Sequence, residues 1–129
     1  MNGFLWVGLG GGFGAMARYG VGKAVTYYCA DHKFPLATFL VNFGGCLLIG
    51  LLAGFVEKQN LLNLHTRLFL ITGFLGGFTT FSAFGLETLS LIRRGDLAVA
   101  SLNVGASIVC CLIAVWLGFK LSGLGTPAA

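Results

Sequence analysis

Long apolar runs separated by short polar clusters divide this chain into four. Asp31-His32-Lys33, Glu57-Lys58-Gln59-Asn60 and Arg93-Arg94-Gly95-Asp96 mark the interruptions, and Pro35 sits at the entrance to the second run. Each run is long enough, at 1.5 Å rise per residue, to cross a hydrocarbon layer of about 30 Å. The pattern predicts membrane helices over residues of about 3–25, 36–56, 68–92 and 97–121. The third run is the odd one. In its middle stands Gly76-Gly77-Phe78-Thr79-Thr80-Phe81-Ser82-Ala83-Phe84-Gly85. Glycine weakens a helix interior, and a hydroxyl pair offers the backbone alternative hydrogen bonds. The run therefore reads as two half-helices with a break near the membrane midplane, Thr79 or Thr80 capping the second half. Carbonyls of the first half and amides of the second would be exposed there, and half-helix ends of this kind hold ions in transport proteins.

The polar residues inside the other runs mark faces. In the first, Gly10 and Gly14 have the spacing of a close-packing helix face, and Arg18 follows one turn later. A guanidinium at that depth either snorkels to the headgroups or lines a vestibule that collects anions. In the second, Thr38 and Asn42 lie four apart on one face, followed by another close-packing pair, Gly50 and Gly54. A carboxamide in hydrocarbon must find a partner, so Asn42 points at another helix or at a pore. Ser82 and Glu87 are the polar residues beyond the break, Glu87 being either a helix-end solvating acid or part of an ion path. In the fourth, Asn103 and Ser107 again lie four apart, and Trp116 and Lys120 suit the interface. His32 and His65 read as loop histidines, and the tail 123–127 as disordered.

Composition agrees with a polytopic membrane protein. Mean hydropathy is +0.90, and only 9% of the 129 residues are charged. Glycine supplies 21 residues, roughly twice its usual share, which favours closely approaching helices. The net charge of +4 is spread over the connections between spans and does not form a nucleic-acid surface. The residues 1–129 make one domain, and four short helices are too few to enclose a wide pore alone, so an oligomer is expected. Ala15-Met16-Ala17 resembles a signal-cleavage site, but Met1-Asn2-Gly3 has no basic residue before it, and the segment is read as a mature span. The four cysteines, Cys29, Cys46, Cys110 and Cys111, form no Cys-x-x-Cys and read as packing residues. No catalytic triad, metal cluster or phosphate loop is present, and no enzyme is expected.

Phe78, Phe81 and Phe84 recur every third residue at the break. With twelve phenylalanines in the chain, packing alone accounts for many of them. Beside a broken helix and hydroxyl groups, however, the positive ring edges can help to hold a small anion without a fixed charge. A site of that kind also lets its ion go.

Taken together, Gly-Gly-x-Thr-Thr-Phe-Ser-x-Phe at 76–84, Val-Asn-x-x-Gly at 41–45 and the Ala-Arg step at 17–18 resemble the Fluc family of fluoride channels, also called the CrcB family. The resemblance covers essentially the whole chain. It implies an all-α, dual-topology antiparallel homodimer in the lipid bilayer, in a bacterial inner membrane, with passive fluoride efflux from the cytoplasm. It implies that Asn42, Phe81 and Phe84 line the fluoride path, with Ser82, Thr38, Asn103, Ser107 and Glu87 along it and Arg18 at the vestibule. It further implies a structural sodium ion at the dimer interface, held by backbone carbonyls of Gly77 and Thr80. Three positions depart from the family pattern: Ala83 stands for a common Thr, Phe78 for Leu, and Asn103 for the Tyr of some members. Two other classes fit the size. A proton-coupled dual-topology exporter needs an early membrane carboxylate, whereas the first span holds Arg18. A non-transporting membrane assembly protein leaves the Gly/Thr/Phe/Ser cluster without purpose.

Overall fold

Glycine sets the spacing of the helices, and the helices pair in parallel. In the computed structural model, which describes residues 2–59 and 62–124, every regular element among the described residues is helical. Helix α1 spans Gly3–Tyr28 and α2 spans Leu36–Gln59. A short α3, Leu64–Arg67, runs directly into a π-helical stretch, Leu68–Leu75, and then α4, Gly76–Phe78. After the break come α5, Phe81–Arg93, and α6, Leu97–Phe119, followed by a stretch, Lys120–Leu124, kinked at Gly123.

Helix α1 lies along the first half of the broken span. A Cβ on Gly10 would fall on the carbonyl oxygen of Phe69, one on Gly14 on that of Phe74, and one on Gly77 on that of Gly11. From Gly3 against Leu68 through Gly10 against Phe69 to Gly14 against Phe74, residue numbers rise on both elements, so the two run the same way. The Gly10/Gly14 face predicted from sequence is therefore a backbone-to-backbone contact. Helices α2 and α6 form the second parallel pair: a Cβ on Gly50 would fall on Val115 O and one on Gly118 on Leu47 O. The connection after α1 and the turn after α5 sit at one end of the molecule, tied by Lys33 Nζ to Asp96 Oδ1 at 3.0 Å. Gly95 takes φ 82 in that turn, where a side chain would be strained.

Three segments, Leu36–Glu57, Leu64–Arg93 and Leu97–Gly123, are long and apolar enough to cross a membrane. Helix α1, at 26 residues, has the length, but its apolar run is diluted by glycine. The protein is a multi-pass helical membrane protein, as expected. Several expected boundaries shift outward. Helix α1 continues to Tyr28 and α2 to Gln59, because interfacial polar side chains do not stop a helix. His65 lies in α3 and not in a loop. Asn63 Oδ1 caps that helix by accepting from Thr66 N at 2.8 Å, and the His65 ring lies 5.8 Å from that of Trp6. Of the tail expected to be disordered, Gly123 takes a left-handed, non-helical conformation at φ 88, ψ 11, a kink at the end of the last helix. Residues 125–129 lie outside the described residues.

Candidate functional site: the broken span and its cavity

The break falls at Thr79 and Thr80, both extended, at φ −79, ψ 155 and φ −150, ψ 116. Hydroxyl groups hold it open. Thr79 Oγ1 donates back to Leu75 O at 2.9 Å, and Thr79 N donates to the same carbonyl at 3.0 Å. Thr80 Oγ1 accepts from Ala83 N at 3.2 Å and caps α5, and it lies 3.2 Å from Ser82 Oγ. Thr80 is thus the cap that the sequence reading offered as one of two choices.

Asn42 completes the break from α2. Its Nδ2 donates to Thr80 O at 3.0 Å, and its Oδ1 accepts from Thr80 N at 2.8 Å. The carboxamide therefore supplies both bonds that a continuous helix would have given this residue. This modifies the expectation of openly exposed backbone: the polar groups of Thr80 are engaged, and Leu75 O and Ala83 N are taken by hydroxyl-bearing neighbours. One Nδ2 hydrogen of Asn42 remains for another acceptor. Thr79 fits because Gly45 lies opposite, where a Cβ would fall on Thr79 Cγ2.

Around the break lies a cavity of about 490 Å³, lined among others by Asn42, Thr79, Thr80, Phe81, Phe84 and Ser107. The Phe81 and Phe84 rings stand 5.3 Å apart at 37°, a pair on one side of α5 as their spacing suggested. The Phe81 side is 82% exposed in the single chain.

A second polar line continues beyond the cavity. Thr38 Oγ1 donates to Glu87 Oε1 at 2.8 Å, while Glu87 Oε2 is buried with no partner among the described residues. Asn103, 1% exposed, donates through Nδ2 to Thr88 Oγ1 at 2.9 Å. Thr88 in turn donates to Phe84 O at 2.7 Å, and Ser107 Oγ lies 3.5 Å from Asn103 Oδ1. Glu87 also faces a smaller cavity of about 250 Å³ bordered by Lys33 and Arg94.

Of the residues singled out from sequence, Asn42, Thr80, Phe81, Phe84 and Ser107 share the larger cavity. Thr38 and Glu87 pair with each other, and Asn103 bridges toward Ser107. Ser82 is exposed and reaches the site through Thr80. Arg18 is half-buried on α1 and borders neither cavity. Gly77 packs on α1. Thr88 was missed; its signal is a hydroxyl four residues after Phe84, next to Glu87 on α5.

The fold and site define a polytopic helical membrane protein whose broken span borders a cavity lined by polar donors and phenylalanine rings, with no lysine or arginine in its lining among the described residues. Residues 5–119 match the family described as CrcB-like protein, Camphor Resistance (CrcB). The chain belongs to that family. Among its relatives, a protein of Methylobacillus flagellatus is 50% identical over 115 residues, 89% of this chain and 90% of its own length. One of Flavobacterium psychrophilum is 42% identical over 122 residues, 95% and 98% of the two chains. One of Coxiella burnetii is 44% identical over 115 residues, 88% and 92%. Each of the three is named a fluoride-specific ion channel, FluC.

Proposed function

We propose that this protein is a fluoride-selective channel that lets the anion leave the cytoplasm passively, lowering its toxicity, and not an enzyme. The observation that carries the proposal is the Asn42–Thr80 pairing beside Phe81 and Phe84, in a chain half identical to a protein named for fluoride conduction. A bare anion in an apolar medium is costly by tens of kcal/mol. The free N–H of Asn42, nearby hydroxyls and ring edges offset that cost without a fixed cation that would trap the ion. In this reading Asn42, Phe81, Phe84 and Ser107 border the path. Ser82, Thr38, Asn103 and Glu87 extend it, and Arg18 attracts the anion toward it.

The working form in this proposal is an antiparallel homodimer of four-pass subunits in a bacterial inner membrane. Its support is a weak charge asymmetry: Lys58, Arg67 and Lys120 belong to one end, and Lys23, Lys33, Arg93 and Arg94 to the other. Three basic residues against four give little orientation bias, and an antiparallel dimer requires both orientations.

Sodium at the dimer axis is part of the same proposal. Helix α4 ends at Phe78, so carbonyls of its last turn, Gly77 among them, lose partners within the helix. Thr80 O, bonded once by Asn42, keeps a second lone pair. Neutral backbone oxygens of Gly77 and Thr80, repeated by a two-fold axis, suit one hard monovalent cation. The ion's charge would make the surroundings more hospitable to a nearby anion.

The exporter reading lacks its early acid, and no observation favours an assembly role. Expression in cells stripped of their own fluoride exporters tests the proposal: growth in fluoride should return. Continued fluoride sensitivity, with the protein shown to be in the membrane, contradicts it.

A further inference from the structure

Cys46 and Cys111 lie far apart in the chain, and no ligand spacing links them. The packing of α2 on α6 does. The two helices keep one register, with Gly50 against Val115 and Gly54 against Ser122. One helical turn back from Gly50 and Val115 stand Cys46 and Cys111. Both thiols line the larger cavity together with Asn42, Phe81, Phe84 and Ser107. Both are free. Two observations thus agree: helix register and shared cavity wall.

We propose that Cys46 and Cys111 form a dithiol site in the cavity wall for a soft divalent cation of the mercuric type. Two S–H bonds break, two sulfur–metal bonds form, and two protons leave to water through the cavity mouth. No electrons change hands. The charge balance selects the ion. A divalent cation with two thiolates is neutral and tolerates an apolar wall, whereas a monovalent soft cation would leave a net negative charge there. Zinc wants four ligands, and no group of three or more His, Cys, Asp or Glu side chains that would hold a metal occurs among the described residues. The site therefore takes an ion satisfied by two sulfurs in line. Occupancy places a heavy atom beside Phe84 and Ser107; that it closes the channel rests on the reading of this cavity as part of the fluoride path.

The test uses the purified full-length protein and mercuric chloride. Two free thiols should disappear per mercuric ion bound at saturation of this site, with a thiolate-to-metal absorption band in the ultraviolet. Cys46→Ser and Cys111→Ser should each abolish the band, whereas Cys29→Ser and Cys110→Ser should keep it. An excess of small dithiol should reverse it. Should a serine variant fail to accumulate, the alanine variant at that position takes its place. A band that survives in Cys46→Ser or Cys111→Ser, or that vanishes in Cys110→Ser, overturns the site. In liposomes, each protein is compared with its own untreated fluoride release. Loss of release in the wild type and in Cys110→Ser, but not in Cys46→Ser, upholds both site and path. Binding without loss of release upholds the site and removes this wall of the cavity from the path.

Discussion

Replacing Asn42 by Ala removes both hydrogen bonds that hold the backbone of Thr80. Interhelical hydrogen bonds in membranes average only about 0.6 kcal/mol, because the separated helices find other partners. Thr80 has no such recourse. Thr79 and Thr80 are both extended and Thr80 is 8% exposed, so its N–H and C=O are left without the partners a helix would provide. An unsatisfied buried group costs about 1–3 kcal/mol, and two such groups give roughly 2–6 kcal/mol. The expected result is a lowered thermal transition of the detergent-solubilised protein and a fluoride release from liposomes reduced by at least tenfold. Asn42→Asp separates structure from path. It keeps the shape and the acceptor for Thr80 N, but loses the donor to Thr80 O and sets a carboxylate beside the anion. It should fold better than the alanine variant and still conduct poorly. If Asn42→Ala unfolds within about 0.5 kcal/mol of the wild type, the range of an ordinary surface change, and conducts normally, the carboxamide neither holds the break nor lines the path.

Other consequences follow from the same geometry. Phe81→Ile and Phe84→Ile keep apolar bulk but lose the ring edge, so each should slow fluoride release while the protein remains folded; unchanged release in both returns the rings to packing. Gly14→Ala forces a methyl onto Phe74 O and should destabilise by about 1–3 kcal/mol or more, whereas Gly8→Ala, with nothing within 4 Å, should be neutral in the same thermal assay. Anomalous scattering from a heavier monovalent cation should give one peak on the dimer axis near Gly77 and Thr80; no peak at saturation means no such site.

How much of this was legible beforehand depends on whether the cause is local. The break was, because glycine, paired threonines and a capping hydroxyl act within a few residues, and Thr80 capping Ala83 is that local chemistry made visible. The Gly10/Gly14 face was also legible, since small residues at that spacing announce close approach. The partner of Asn42 was not. A membrane carboxamide demands a partner, but only the register of α2 against the break, set by Gly45 under Thr79, selects the Thr80 backbone. The π-helical stretch Leu68–Leu75 was invisible for a related reason: it is an apolar run whose contacts with α1 carry no periodic signal of their own. The same holds for the Cys46–Cys111 approach, which belongs to helix packing and not to chain spacing. Thr88 was overlooked beside Glu87, although Asn103 and Phe84 O both use its hydroxyl.

The most direct measurement is electrode-recorded fluoride release from liposomes that contain only this purified protein, with chloride release recorded on the same preparation. A cavity bordered by Asn42, Ser107 and the rings of Phe81 and Phe84 should pass fluoride rapidly and chloride essentially not at all. Equal release of the two anions, or release of neither from liposomes shown to hold folded protein, would contradict the account.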